Sequence, residues 1–186
     1  MTNVKKPGVF DMSEKHEGGC FCGSVRYSTM GQPFRAAVCH CRYCQLRTGT
    51  AFGISVYFKE DKVIFNDGAC HTFSYETESG SKATLSRCAN CGTTVSWRIS
   101  LDALNDLVGI AGGTFDPPTF WYELDREVFT RSKANFCQIT SPDSYEESPI
   151  YKPIKRDAGH LKGGVYNGLY FGEVDFKYFF HISSNY

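Results

Sequence analysis

Three cysteines lie within six positions of the chain, in the stretch CHCRYC at residues 39–44. Thiolate sulfur is a preferred ligand of zinc, and short cysteine spacings allow one tight turn to present two sulfurs to one ion. A structural zinc site closes with four protein ligands, whereas a catalytic site keeps one position open. The question is therefore whether a fourth ligand lies elsewhere in the chain or the position is left for a reactant.

Two further cysteine clusters strengthen the prediction of zinc. A C-x-C pair stands at residues 20–22, and a C-x-x-C pair stands at residues 88–91, in CANCG. One C-x-x-C is a weak indication, because redox motifs share it. Seven clustered thiols among nine cysteines are a strong one. Seven thiols suffice for one zinc site with four ligands and a second with three. Spacing alone does not decide which upstream cluster shares an ion with the CANC pair.

Composition limits the classes of protein to be considered. The 186 residues suffice for one domain with tails, and Lys plus Arg equals Asp plus Glu, so no nucleic-acid partner is expected. No apolar signal region or membrane-spanning stretch is visible, which predicts a cytoplasmic protein that does not insert into a membrane. In that compartment the cysteines are expected to be metal ligands or reactive thiols rather than disulfides.

Short alternating segments at regular spacing predict an all-β fold with few short helical turns. The 15% aromatic content agrees with this. A single helical turn is expected at residues 45–48, and the KED sequence at 59–61 is expected to form a hairpin turn. We expect residues 1–17 to be a flexible lead, 18–140 a zinc-binding β domain, and 141–186 an aromatic extension that packs on it.

Four ordered segments carry a resemblance to a known family. They are GGCFCGSVRY, CHCRYCQLRTGTAF, SRCANCGTTVSW and VGIAGGTFDPP, within residues 18–137. Together they resemble the glutathione-dependent formaldehyde-activating enzyme family, which includes centromere protein V. The family's closing motif also has a counterpart here, with Phe136 where the family has Trp. The resemblance implies a fold of zinc-centred, twisted antiparallel sheets.

The resemblance also implies how the cysteines divide between two zinc ions. A structural zinc is expected at Cys20, Cys22, Cys88 and Cys91. A catalytic zinc with an open position is expected at Cys39, Cys41 and Cys44. The implied reaction is that of a carbon–sulfur lyase, in which glutathione and formaldehyde combine to S-hydroxymethylglutathione or the adduct splits again. The implied partner is therefore a small molecule, glutathione or a related thiol adduct.

Residues beside the three-cysteine cluster are candidates for supporting roles. His40 lies between two ligands, and its side chain is interpreted as a hydrogen-bonded surface group, a proton shuttle or a further ligand. Gln45, Arg47 and Thr48 follow the last ligand and are candidates for contacting a peptide-like substrate, or are solvated loop residues. Plain structural roles are expected for the remaining candidates: Cys70, His71, Arg98, Thr114, Asp116 and Cys137. Cys70 and His71 are adjacent on a predicted strand, so only one of the two is expected to face inward.

Two alternatives to this enzyme stay open. One is a family member that performs a different small-molecule reaction in a specialised pathway. The other is a zinc-stabilised binding module without catalysis. The open three-thiol cluster favours an enzyme, because a binding module needs only one closed zinc site.

Overall fold

The computed structural model describes residues 14–66 and 68–154, whose main regular structure is the short β-strand. In these ranges the elements follow in the order β1 (Lys15–Gly19), β2 (Arg26–Met30), β3 (Arg35–Cys39), α1 (Arg42–Thr48), β4 (Gly53–Lys59), β5 (Val63–Phe65), β6 (Cys70–Glu76), β7 (Lys82–Cys88), β8 (Thr94–Ile99), β9 (Leu107–Ala111), β10 (Arg126–Val128) and β11 (Asp143–Tyr145). The predicted all-β class is confirmed. No helix in the described ranges is long and apolar enough to span a membrane.

The strands form two sheets. The smaller sheet has the order β1-β2-β5, and the larger has the order β11-β10-β3-β4-β9-β8-β7-β6. Strand β10 runs parallel to both β3 and β11, whereas the other pairs are antiparallel as predicted. Residues 112–125 carry the chain from β9 past β4 and β3 to the far side of β3, where β10 lies parallel to β3. Residues 129–142 then connect β10 to β11, which also lies parallel to β10.

The hairpin expected after β4 is wrong. Residues Glu60–Lys62 form a 3-10 turn, in which the Glu60 N–H donates to the carbonyl oxygen of Asp106 at 3.0 Å. The turn directs the chain away from the larger sheet, and β5 then pairs with β2 of the smaller sheet. The segment therefore connects the two sheets.

Helix α1 is longer than the single turn expected at residues 45–48. It begins after Cys41 and runs through Arg42–Thr48, which is about two turns. It ends at Gly49, whose φ of 68° is left-handed and whose N–H donates to the Gln45 carbonyl oxygen at 2.8 Å. Because helix α1 begins shortly after the end of β3, Cys44 in the helix lies close to Cys39 at the end of the strand.

The hydrophobic core lies between the two sheets. Val56 of β4 is buried beside its register partners Ala36 and Ile110, and Tyr27 of the smaller sheet joins the same cluster. Side chains alternate along a strand, so the residues next to these point to the opposite face of the larger sheet. That opposite face is where the three-cysteine cluster lies.

An aromatic wall covers part of the opposite face. Trp97 of β8 lies across Gly109 of β9, where an added Cβ would stand 2.3 Å from the indole Nε1. Only glycine leaves room for the ring in this position. The Trp97 Nε1–H donates to the Tyr57 hydroxyl oxygen at 3.2 Å, which fixes both side chains.

Residues 141–154 return along this face. Strand β11 pairs with β10, the Tyr151 ring lies 6.4 Å from that of Phe129, and the Ile154 N–H donates to the Glu78 carbonyl oxygen at 3.0 Å. The rest of the predicted extension, 155–186, lies outside the described residues, as do residues 1–13. Strand β1 begins at Lys15, inside the segment 1–17 that was predicted as a lead.

Truncation after Thr140 is expected to destabilise the protein. It removes β11 and the Tyr151 ring, and burial of one such aromatic side chain contributes roughly 1.5–3 kcal/mol. The melting temperature should fall by about 3–12 °C. Truncation after Ile154 is the matched control, because it keeps each of the contacts named above. Equal melting temperatures for the two truncated proteins would show that residues 141–154 do not stabilise the fold.

Candidate metal centres and the adjoining cavity

Four sulfur atoms converge where the two sheets meet. Cys20 and Cys22 lie in the β1–β2 turn of the smaller sheet, and Cys88 and Cys91 lie at the β7–β8 turn of the larger one. Their sulfurs all lie within 4.8 Å of one another, with 3.5 Å between Cys20 and Cys22 and 3.7 Å between Cys22 and Cys88. A tetrahedral zinc site with metal–sulfur distances of about 2.3 Å has sulfurs about 3.8 Å apart. The cluster therefore fits a zinc ion with four protein ligands.

The two turns of this cluster have the same construction. Gly23 and Gly92 both adopt left-handed backbone conformations, with φ of 77° and 74°. The Gly23 N–H donates to the Cys20 carbonyl oxygen at 3.0 Å, and the Gly92 N–H donates to that of Cys88 at 2.9 Å. Each glycine permits the tight turn that brings the sulfurs of its pair together.

Two hydroxyl groups favour the thiolate form of this cluster. The Ser24 hydroxyl lies 3.2 Å from the Cys22 sulfur, and hydrogen bonds from this hydroxyl, from the Ser24 backbone and from Asn90 lower the pKa of that thiol to about 5. The Thr93 hydroxyl lies 3.2 Å from the Cys91 sulfur and lowers its pKa to about 7. Because zinc binds the thiolate, both contacts favour metal binding near neutral pH. Sequence analysis did not identify either hydroxyl.

The second cluster consists of three sulfurs. Cys39 ends β3, Cys41 occupies the N-cap position of α1, and Cys44 lies in its first turn. Their sulfurs also lie within 4.8 Å of one another, and no fourth His, Cys, Asp or Glu of the described residues joins them. These residues thus fit a zinc ion with three protein ligands and one position that the chain does not fill.

Arg47 supplies positive charge beside this cluster. Its Nη2 lies 3.8 Å from the Cys44 sulfur, and its guanidinium stacks 3.7 Å from the centre of the Trp97 ring. The thiols of Cys39 and Cys41 and the charge of Arg47 hold the pKa of Cys44 well below its usual range. Three thiolates with Zn²⁺ carry a formal charge of −1, which the guanidinium offsets.

The three sulfurs lie at a cavity of about 140 Å³ on the opposite face of the larger sheet. Residues of strands β3, β4, β7, β8 and β10 form its floor, and residues 148–151 form one side. Its principal lining residues are Arg35, Cys39, Cys41, Tyr43, Cys44, Arg47, Tyr57, Tyr75, Glu78, Trp97, Arg126, Phe129 and Tyr151. The three-cysteine cluster is therefore open toward a partly aromatic cavity.

His40 is directed away from the cavity. Its side chain is fully buried, and its Nε2 lies 2.8 Å from Oε1 of Glu127, which also accepts a 2.7 Å contact from Lys133 Nζ. The expected surface position is wrong, because Glu127 of β10 draws the ring into the protein. The ring does not line the cavity, so the geometry does not favour a proton shuttle to a bound reactant.

Of the three candidates that follow Cys44, Arg47 lines the cavity and the other two brace its wall. Gln45 Nε2 donates to the carbonyl oxygens of His40, Ala51 and Ser132, at 3.1, 3.4 and 3.3 Å. The Thr48 hydroxyl donates to the Cys44 carbonyl oxygen at 2.9 Å. Gln45 and Thr48 therefore hold α1 in place and do not face a bound reactant.

The other candidates lie outside the cavity. The Tyr27 hydroxyl donates to Thr114 Oγ1 at 2.9 Å, while Asp116 pairs with Arg26 and Arg98 pairs with Glu60. Cys70 and His71 are both exposed, so the expectation that one of them faces inward is wrong, because β6 is an edge strand. None of the nine cysteines forms a disulfide.

Several cavity residues were missed by sequence analysis: Arg35, Tyr57, Tyr75, Trp97, Arg126 and Tyr151. The position of one of them could have been predicted from the sequence. Arg35, Ala37 and Cys39 alternate along β3, and all three line the cavity. Since alternate residues share a face, the position of Cys39 could have pointed to Arg35.

The fold and the two clusters define an all-β protein with two sites suited to zinc. Residues 15–132 match the family described as glutathione-dependent formaldehyde-activating enzyme. The match spans more than half of the 186 residues, and the chain belongs to this family. No curated protein matches the sequence. A crystal structure of a Rhodobacter sphaeroides protein is similar, with 18% identity, a TM-score of 0.43, and coverage of 58% of this chain and 96% of that one.

Proposed function

We propose that the chain is a zinc-dependent carbon–sulfur lyase that acts on glutathione, or a related small thiol, and its adduct with an aldehyde. The observation that carries the proposal is the contrast between the clusters. Four thiols surround one position completely, whereas three thiols meet at a cavity. We assign a structural zinc to the first cluster and a catalytic zinc to the second. When bound there, zinc favours the thiolate form of an incoming thiol.

The reaction requires few groups from the chain. In the forward direction the thiol sulfur bonds to the carbonyl carbon, the carbonyl π electrons move to oxygen, and the proton lost by the thiol balances the one gained by that oxygen. In the reverse direction the carbon–sulfur bond breaks and the same proton returns. The chain has to hold the thiol at the three sulfurs and supply a proton donor near the new hydroxyl group.

Tyr57 is suited to be that donor. It lines the cavity, and burial raises the pKa of Tyr57 to about 12, so its hydroxyl stays protonated at neutral pH. Its oxygen already accepts the bond from Trp97 Nε1 at 3.2 Å, which leaves its own O–H to donate to the oxygen of the adduct. A hydrogen bond to an oxygen that gains charge stabilises the transition state.

The aromatic lining supports the same reaction by surrounding the reacting groups with largely apolar side chains. Trp97, Phe129 and Tyr151 line the cavity, and the Arg47 guanidinium is stacked on Trp97 beside the sulfurs. In such surroundings the charges at the three thiolates and Arg47 interact more strongly than they would in water.

The test is the rate at which glutathione and ¹³C-formaldehyde form S-hydroxymethylglutathione, followed by NMR exchange. Zinc-loaded protein is expected to accelerate this exchange, and chelator-treated protein is expected to lose the acceleration and regain it with added zinc. Free zinc without protein is the control. No acceleration by a fully loaded protein, with glutathione leaving the bound zinc unchanged, would favour a non-catalytic binding module. Acceleration with a different thiol or carbonyl compound alone would favour a specialised reaction.

A further inference from the structure

Two arginines lie at the cavity beside a single carboxylate, so the described residues neutralise only part of their positive charge. Arg35 of β3 forms no ion pair with a carboxylate within residues 14–66 and 68–154. Arg126 of β10 uses its Nε to contact Asp125 Oδ1 at 2.5 Å. The other oxygen of Asp125 accepts the Ala36 N–H at 3.0 Å. One carboxylate thus stands beside two guanidinium groups.

The other charged groups at the cavity each have a partner, and Arg131 is shared by Glu78 and Glu147. Glu78 forms a bidentate pair with Arg131, with distances of 2.7 and 2.8 Å. Arg47 lies beside the Cys44 sulfur, where it offsets the charge of the three thiolates. The excess positive charge is therefore confined to Arg35 and Arg126. Burial and the neighbouring charge of Arg126 lower the pKa of Arg35, which agrees with a cation that lacks a counter-ion.

Strand geometry separates this charge from the sulfurs by a defined distance. Arg35 and Cys39 are four residues apart on β3, on the same cavity-lining face, which corresponds to about 13 Å between their Cα atoms. Arg126 lies on the next strand, in register with Ala37 between them. The cavity thus has a sulfur end and a cationic end, joined by one strand face.

Building on the proposed function, we propose that Arg35 and Arg126 are specificity-determining residues that bind a carboxylate of the thiol substrate and thus form a carboxylate subsite. The thiol lies at Cys39, Cys41 and Cys44 while the carboxylate binds the guanidinium groups. Guanidinium donors match carboxylate oxygens in pairs, and such charge-assisted hydrogen bonds are stronger than neutral ones. Uncharged and cationic thiols lack the group that this end of the cavity accepts.

The test compares the binding of two ligands to zinc-loaded protein by calorimetry, independently of turnover. The ligands are glutathione and its diethyl ester, which keeps the thiol and lacks both carboxylates. Wild type is expected to bind glutathione at least about tenfold more tightly than the ester, and Arg35→Ala should lose about tenfold for glutathione alone. Arg35→Lys should retain part of the difference, and Arg126→Gln should reduce it. Arg98→Ala, an exposed arginine on β8, is the matched control and should match wild type.

The outcomes separate this subsite from the proposed function. Equal binding of glutathione and its ester by wild type, or unchanged glutathione binding by Arg35→Ala, overturns the subsite even if the adduct is turned over. Carboxylate-dependent binding without acceleration of adduct formation supports the subsite and contradicts the proposed lyase activity. A zinc-loaded wild type that binds neither ligand overturns both.

Discussion

Cys88→Ser is expected to give misfolded or insoluble protein with no zinc at the four-cysteine cluster. Serine keeps the size of the side chain but removes one of four thiolates that join the two sheets. Structural zinc contributes on the order of 10 kcal/mol to small zinc-binding domains. That is comparable with the whole stability of a typical domain, about 5–15 kcal/mol. Soluble yield, circular dichroism and zinc content measure the effect.

Cys70→Ser is the matched control for this substitution. Cys70 lies directly opposite Cys88 in the β6–β7 register, yet it is exposed and belongs to neither cluster. The same replacement of sulfur by oxygen, made on the neighbouring strand β6, should leave yield, melting temperature and zinc content unchanged. A folded Cys88→Ser protein with normal solubility would contradict the structural role of this cluster.

The strands could largely be predicted from sequence, whereas their pairing could not. Short alternating segments predicted the all-β class, because each strand alone carries its own pattern of side chains. The parallel position of β10 beside β3 depends on a crossover of residues 112–125. The pairing of β5 with β2 depends on a 3-10 turn that resembles a hairpin locally. Both are set by packing between distant segments, which local periodicity does not contain.

The same limit applies to the candidate site. The three cysteine clusters could be recognised because short turns hold neighbouring ligands of one ion, so these ligands are also close together in the sequence. The cavity walls come from separate strands, and the contact between Trp97 and Tyr57 joins residues 40 positions apart. His40 shows the consequence most directly. Its sequence neighbours suggested a surface position, a proton shuttle or a ligand, but a contact with Glu127, 87 positions away, turns the ring into the protein.

Cys41→Ser is expected to give the opposite result to Cys88→Ser: a folded protein that loses its activity. Cys41 is the N-cap residue of α1 and makes no side-chain capping bond. Serine is a preferred N-cap residue, because its oxygen accepts a hydrogen bond from a free N–H of the first turn. The helix and the melting temperature should therefore be preserved. The second metal position would keep two thiolates, so zinc content should fall from two equivalents toward one.

The loss of activity is expected to be large. Changes to groups that merely orient a metal ligand typically cost 10–100-fold, so removal of a ligand should slow S-hydroxymethylglutathione exchange by more than about 100-fold. Cys137→Ser is the control, since Cys137 is a half-buried thiol outside both clusters. Circular dichroism, melting temperature, zinc content and the exchange rate decide the result together. If Cys41→Ser unfolds the protein while Cys88→Ser stays folded and inactive, the structural and catalytic roles are reversed. If both variants fold and retain full activity, the reaction does not depend on zinc at either cluster.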